Sequence, residues 1–438
     1  MALLDLFGSS HQPIAVVGIL SVVYYLISYA HRKRRHYTVA KENGCKPVIP
    51  VLPYREPFFA LDRVFLNMRM ARERKLLENN ITRFEELGNT IRGKRFTTQI
   101  FLTREPLNIK TILATKFTDY SMGDRLQVFG TFFGKGIFTS DGEDWSRSRH
   151  MVKPNFVKDQ VAHLDIFEEL LDDFFALIPS DGSTVDLQDL FFGLTIDSAT
   201  EFLYGHSVHS LKKQLSGVST KEPDFSEAYN YSLEYITKNS RLGPLMAFNR
   251  DPKAAEANRI CHEVVDQYVD KAVRVRERYD EEKGQTEGRR YTFLQGLAQQ
   301  TGDRTRIRDE LMNLLLAGRD TTASLMSNMW FMLAKHPEAW AKLQEEIATL
   351  EGRAPTYDQL RNLKYLKYCL NECRCNLRSV LIYADKYSSP SPSCRPSKLT
   401  NCGQRHRHPS WRWSGRKIAC SGPERGRRRV QCLGYAPP

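Results

Sequence analysis

From about Arg306 to Ala334 the chain runs without proline and with apolar residues at helical spacing, Leu311, Leu314, Leu315, Leu325 and Met326 among them. The pattern predicts one helix of roughly eight turns. An apolar helix that long sets an axis around which the rest of the chain has to pack. Midway along it stand Ala317-Gly318-Arg319-Asp320-Thr321-Thr322. Short polar side chains compete for backbone hydrogen bonds, so Asp-Thr-Thr predicts a bend or local opening of the helix, with a groove beside it. Ala317 and Gly318 lack bulk, which leaves room for a flat cofactor face and a diatomic ligand close to the backbone. The Asp320 carboxylate and Thr321 hydroxyl are placed to relay protons. A kinked core helix with one solvated aspartate is the other reading of the same six residues.

Upstream lies Trp145-Ser146-Arg147-Ser148-Arg149. A tryptophan and an arginine four apart share one helix face, which suits an indole and a guanidinium donating to the same anionic groups. Standing alone, the segment also reads as a surface helix with one buried tryptophan.

The six residues match the [AG]-G-x-[DE]-T-[ST] motif of cytochrome P-450 proteins. The run GIFTSDGEDWSRSRHMVKPNF, residues 136–156, and LTIDSATEFLYG, residues 194–205, resemble the fungal family that hydroxylates n-alkanes and fatty acids at the chain terminus. HPEAWAKLQEEI from His336 and LRNLKYLKYCLNE ending at Glu372 resemble the two helices that follow the oxygen-binding helix. The resemblance covers roughly residues 46 to 372. It implies a mainly α fold with a small β portion, haem b held by a cysteine thiolate, and electrons from NADPH through a membrane-bound reductase. The substrate implied is an apolar small molecule. Carried onto this sequence, Trp145 and Arg149 would hold haem propionates, Ala317 and Gly318 would shape the oxygen groove, and Asp320 and Thr321 would be the catalytic pair that manages protons. Glu372 would be structural, paired with an arginine three residues on. Position 375 is Cys375, and a buried carboxylate left without its partner costs about 3–5 kcal/mol.

With 438 residues and 41% hydrophobic content, the chain can bury a sizeable single core. Three regions follow: an anchor and basic flank at 1–36, the main domain at 37–372, and a tail at 373–438. Pro13 to Ala30 carries no charge and as a helix reaches about 27 Å, just enough for a thin reticulum-type bilayer. His31-Arg32-Lys33-Arg34-Arg35 follows, while only Asp5 precedes it. A single-pass helix in the endoplasmic reticulum membrane is therefore expected, with the main domain cytosolic. A cleaved signal peptide is the competing reading, from the small-x-small triplet at Ser28 to Ala30. KPVIPVLP, residues 46–53, resembles the stiff hinge that joins anchor to catalytic domain in this family.

The tail differs in kind. It holds 14 basic and 2 acidic residues, and so carries +12 of the chain's net charge of +13, together with six of the nine cysteines. Its cysteine and histidine spacings fit no metal motif and its composition suits disorder, so neither a zinc site nor a nucleic-acid partner is expected. The family's F-x-x-G-x-R-x-C-x-G loop around the iron ligand is missing. The nearest match, Gly415 to Gly422, has Cys420-x-Gly422 but lacks the phenylalanine and the arginine. No axial cysteine, and hence no metal ligand, is assigned. Read one nucleotide later, codons permitted for residues 411–432 allow GGGPDGKSPVLVRKGEGVGYSV, which resembles the sheet region of the same hydroxylases. The shifted reading back to Ser389 allows LRLHPAVPLNSRTAVRD, which would supply the missing arginine. Codons for Cys373 to Ser388 admit GTAGGT, CTGAC and TACAG, the signals of a short fungal intron. The expectation is a retained intron that shifts the frame, leaving either a haem monooxygenase without its ligand loop or a membrane-anchored fragment with no catalysis.

Overall fold

The computed structural model describes residues 12–42, 44, 50–56, 58–73, 75–96, 98–156, 164–217, 224–282, 292–381, 418–421 and 431–433. Its elements are α1 (Gln12–Glu42), α2 (Leu61–Arg72), α3 (Leu76–Leu87), β1 (Thr90–Arg95), β2 (Thr98–Thr103), α4 (Pro106–Lys110), α5 (Arg125–Phe133), α6 (Gly142–Val152), α7 (Asp165–Ala176), β3 (Thr184–Val185), α8 (Leu187–Tyr204), α9 (Ser210–Ser216), α10 (Phe225–Leu242), α11 (Pro252–Glu282), α12 (Phe293–Gln300), α13 (Arg304–Lys335), α14 (Pro337–Ala348), α15 (Tyr357–Asn362), α16 (Lys364–Leu381), β4 (Ile418–Ser421) and β5 (Gln431–Leu433). The fold is mainly helical, as expected. Its β content is one antiparallel hairpin, β1–β2, and one antiparallel sheet of order β3–β4–β5.

The long apolar stretch forms α13, 32 residues and so roughly 48 Å from end to end. The Asp303 carboxylate accepts from the Arg306 amide and caps its start. Its end falls at His336, where Pro337 cannot continue the ladder and opens α14 instead. The first half is buried on nearly every side: Ile307, Leu311, Met312 and Leu315 are fully enclosed. They join Phe132 and Phe133 of α5, Ile196 of α8, Tyr229 of α10 and Val265 and Val269 of α11 in one apolar core. A second cluster forms where Ala323 meets Leu187, Leu190, Phe191 and Leu194 of α8.

The expected opening at Asp-Thr-Thr is absent, since α13 is helical throughout. The Thr321 hydroxyl donates to the Ala317 carbonyl at 2.6 Å, and Ser327 does the same to Ala323 at 2.7 Å. These side chains add a bond to a carbonyl four residues back without displacing the backbone ladder.

Pro13 to Ala30 and the basic cluster after it lie within one helix, α1, with the side chains from Val16 to Leu26 exposed. No helix among the described residues is long and apolar enough to cross a membrane. Ser21, Tyr24, Tyr25, Ser28 and Tyr29 dilute the uncharged run. Residues 46–49 of the hinge-like segment lie outside the described residues, and so does the tail apart from residues 373–381, β4 and β5.

Candidate functional site

Along α13, Gly318, Thr321 and Thr322 are exposed and Ala317 is half-buried, although the turns on either side of them enter the core. An open strip therefore interrupts the buried helix at the motif. A Cβ added at Gly318 would sit 3.5 Å from the Ala199 Cβ of α8, ordinary contact distance. Packing against α8 thus leaves room for an alanine, and the want of a side chain matters on the strip's open side. The groove expected beside Ala317 and Gly318 has as its observed basis only this exposure and the small side chains, since the helix does not open there.

Asp320 points elsewhere. Consecutive helical residues diverge by about 100°, yet the Asp320 carboxylate pairs with the Arg319 guanidinium at 2.8 Å. Burial pushes its pKa above the ordinary carboxylate value, and the Arg319 charge opposes that shift. Arg319 is 2% exposed. Its guanidinium also donates to the Asn230 side-chain oxygen on α10 and lies 4.7 Å from the Phe192 ring centre and 5.3 Å from that of Tyr229. Neither Arg319 nor Asn230 belongs to the residues that the motif assigns to the site. An arginine inside an apolar stripe was the signal available, because such a charge is tolerated only when paired.

Trp145 and Arg149 come together on one face of α6, the guanidinium 5.8 Å from the indole centre. Trp145 is half-buried against Phe117, with ring centres 5.1 Å apart, while Arg149 is exposed. The shared face expected from the i, i+4 spacing is present. α6 is tied to α13 through Arg306, which donates to the Ser148 hydroxyl at 2.6 Å and to the Asp144 carbonyl at 3.3 Å. Arg306 precedes Ala317 by eleven residues, about 16 Å along the axis. The two groups of site residues therefore belong to one braced pair of helices.

Glu372 departs from expectation. It is exposed on α16, so the cost of a buried, unpartnered carboxylate does not arise. The buried side of that turn is occupied by Cys373.

Among the cysteines whose side chains are described, Cys261, Cys369 and Cys373 are free. Burial pushes each thiol pKa up, that of Cys373 to about 11, so each is held as a neutral thiol. Among the described residues no cluster of histidine, cysteine and carboxylate side chains could hold a metal ion.

The family model described as Cytochrome P450 matches residues 60–374. Cytochrome P450 monooxygenase himC of Aspergillus japonicus is 45% identical over 368 residues, which is 82% of this chain and 65% of that protein. Cytochrome P450 monooxygenase fsdH of Fusarium heterosporum is 43% identical over 375 residues, again 82% and 65%. Cytochrome P450 52A5 of Candida maltosa is 35% identical over 376 residues, 82% of this chain and 69% of that one. The chain thus spans about two thirds of the length of the curated relatives it matches.

Proposed function

The chain belongs to the cytochrome P450 family, and from that premise we propose that the gene encodes a haem-thiolate monooxygenase that hydroxylates a long apolar substrate, an n-alkane or fatty acid. The observation that carries this reading is the open strip at Ala317, Gly318 and Thr321, just past the buried first half of a helix braced to the one that bears Trp145 and Arg149. Haem bound through a cysteine thiolate supplies O–O cleavage and insertion of one oxygen atom into an unactivated C–H bond. This chain's residues fit part of that group. Trp145 and Arg149 would donate to its propionates. Ala317 and Gly318 would let its face approach α13, and Asp320 and Thr321 would hold and pass protons beside it. Thr321 keeps an acceptor lone pair for that task while its own proton is on the Ala317 carbonyl. Of the cysteines whose side chains are described, Cys261, Cys369 and Cys373, none stands in an F-x-x-G-x-R-x-C-x-G segment, so none is assigned as the axial ligand.

Electrons from NADPH would arrive through a membrane-bound reductase, with α1 and its basic flank at 1–36 holding the domain at the endoplasmic reticulum membrane. The domain itself would occupy 37–372, and the tail from Cys373 would arise from a retained intron. A second reading, a membrane-anchored fragment without catalysis, is kept for these 438 residues because no F-x-x-G-x-R-x-C-x-G segment is found in them. Sequencing spliced transcripts beyond the Glu372 codon tests the origin of the tail. Removal of the segment for Cys373 to Ser388 is expected, and a mature message that keeps it would overturn the intron. The protein translated from the spliced message is expected to give a thiolate-type Soret band with carbon monoxide after reduction. Lack of haem uptake by that protein would overturn the monooxygenase reading.

A further inference from the structure

Three side chains on the buried half of α13 grip a loop more than 170 residues earlier in the chain. The Lys135 amide donates to an Asp309 carboxylate oxygen at 2.8 Å, the Ile137 amide to Glu310 at 3.1 Å, and the Phe138 amide to the Asn313 side-chain oxygen at 3.0 Å. The Asn313 amide group donates in turn to the Phe133 carbonyl at 2.8 Å. Asp309 is 7% exposed, and Glu310 and Asn313 are fully buried. Positions 309, 310 and 313 lie on one side of a helix, so a single face of α13 binds four backbone groups between Phe133 and Phe138.

The loop is shaped to come this close. Gly134 has φ +59°, and a Cβ there would stand 2.0 Å from the Asp309 carboxylate; at Gly136 it would stand 2.3 Å from the Asn313 side chain. Thr139 closes the turn from within, its hydroxyl donating to the Gly134 carbonyl at 2.7 Å and accepting from the Gly136 amide at 2.8 Å. Three residues after Thr139, α6 begins, and Arg306 fastens α6 directly through Ser148 while pairing with Glu310 at 3.1 Å. Two buried carboxylates and a buried amide are costly to desolvate and add nothing to apolar packing. Their bonds to the loop, with the Arg306 guanidinium against the second Glu310 oxygen, offset that cost and leave the loop one position.

We propose that Asp309, Glu310 and Asn313 are positioning residues that fix α6, and with it the Trp145–Arg149 face, against α13. Their importance for a cofactor rests on the haem reading above. The clamp itself can be tested without haem. Hydrogen exchange is measured on the 438-residue chain and on its Asn313→Ala, Asp309→Ala and Asp309→Asn variants. Asp309→Ala removes one acceptor only and keeps the test open should Asn313→Ala fail to fold. The alanine variants are expected to speed exchange about tenfold at Lys135 to Phe138 and along α6, with the amides of Val265 and Leu311 in the core unchanged. Asp309→Asn keeps the acceptor for the Lys135 amide and should restore the slow rates. Unchanged exchange at 135–138 would overturn the proposal. So would a uniform rise across the core, or failure of Asp309→Asn to restore what Asp309→Ala loses.

Discussion

Arg319 is the residue on which the motif's geometry turns. It holds Asp320, bonds Asn230 and lies over two aromatic rings while almost wholly out of water. Arg319→Ala removes a charge-assisted bond and both ring contacts, so a loss of about 2–4 kcal/mol is expected. Chemical denaturation reads this directly, and an unchanged midpoint would mean that Arg319 is not held in this way. Lysine should not rescue it, because a point charge cannot lie flat on Phe192 and Tyr229. In the protein from the spliced message, Asp320→Asn is expected to lower kcat by about 10²–10⁴-fold, the usual range for a lost proton-transfer group. KM should change little, and steady-state kinetics that show the reverse split would remove Asp320 from proton handling. Asp309 offers a pH test. Burial raises its native pKa above the ordinary 3.8, so the folded chain binds more protons than the unfolded one between those two values. Stability then falls as pH rises from 3.8 through the native pKa and levels off above it. Asp309→Asn has no such slope and should gain on the wild type across that window. Denaturation curves in which the two stay parallel at every pH would contradict this. At this scale the sequence was legible where neighbours in the chain are neighbours in space. Trp145 and Arg149 share a face because four residues make about one turn, whereas the Arg319–Asn230 bond joins positions 89 apart and no local pattern announces it.

At the scale of elements, helix existence was plain and its detail was not. The apolar spacing placed α13 within two residues at its start and one at its end. The opening expected from Asp-Thr-Thr is missing because the Thr321 hydroxyl bonds a carbonyl in its own helix and leaves the ladder intact, an outcome that the residue types alone do not decide. Glu372 was assigned to the interior, yet the turn of α16 presents Cys373 inward instead. The clamp escaped notice for a similar reason. Asp309, Glu310 and Asn313 are polar residues inside an apolar stripe, and the small residues of Gly134-Lys135-Gly136 mark a close approach, but nothing in either segment names the other. Gly136→Ala tests their fit. With a Cβ at 2.3 Å from Asn313, the variant should lose about 1–3 kcal/mol through overpacking. Gly134→Ala should lose more, since its φ of 59° with ψ of −150° is a conformation essentially confined to glycine and adds about 1–3 kcal/mol. Melting curves check both, and a neutral Gly134→Ala would show that the loop does not approach α13 as described.

For the whole molecule, the family model spans residues 60–374 of a mainly helical chain that carries an open strip on α13, a shared Trp145–Arg149 face on α6 and a basic flank on α1. α1 with its basic flank predicts association with anionic vesicles that weakens as salt rises, because Arg32, Lys33, Arg34 and Arg35 supply the charge. Flotation with and without residues 1–36 measures it, and equal flotation of both forms would assign the membrane contact elsewhere. Fold and motifs were readable because the family's helices keep their spacing. The ligand loop was not, since no F-x-x-G-x-R-x-C-x-G pattern is found after Glu372. Reduction of the haem-supplemented 438-residue chain under carbon monoxide tests this most directly. The account predicts no thiolate-type Soret band, and the appearance of that band would show that a cysteine of this chain binds iron after all.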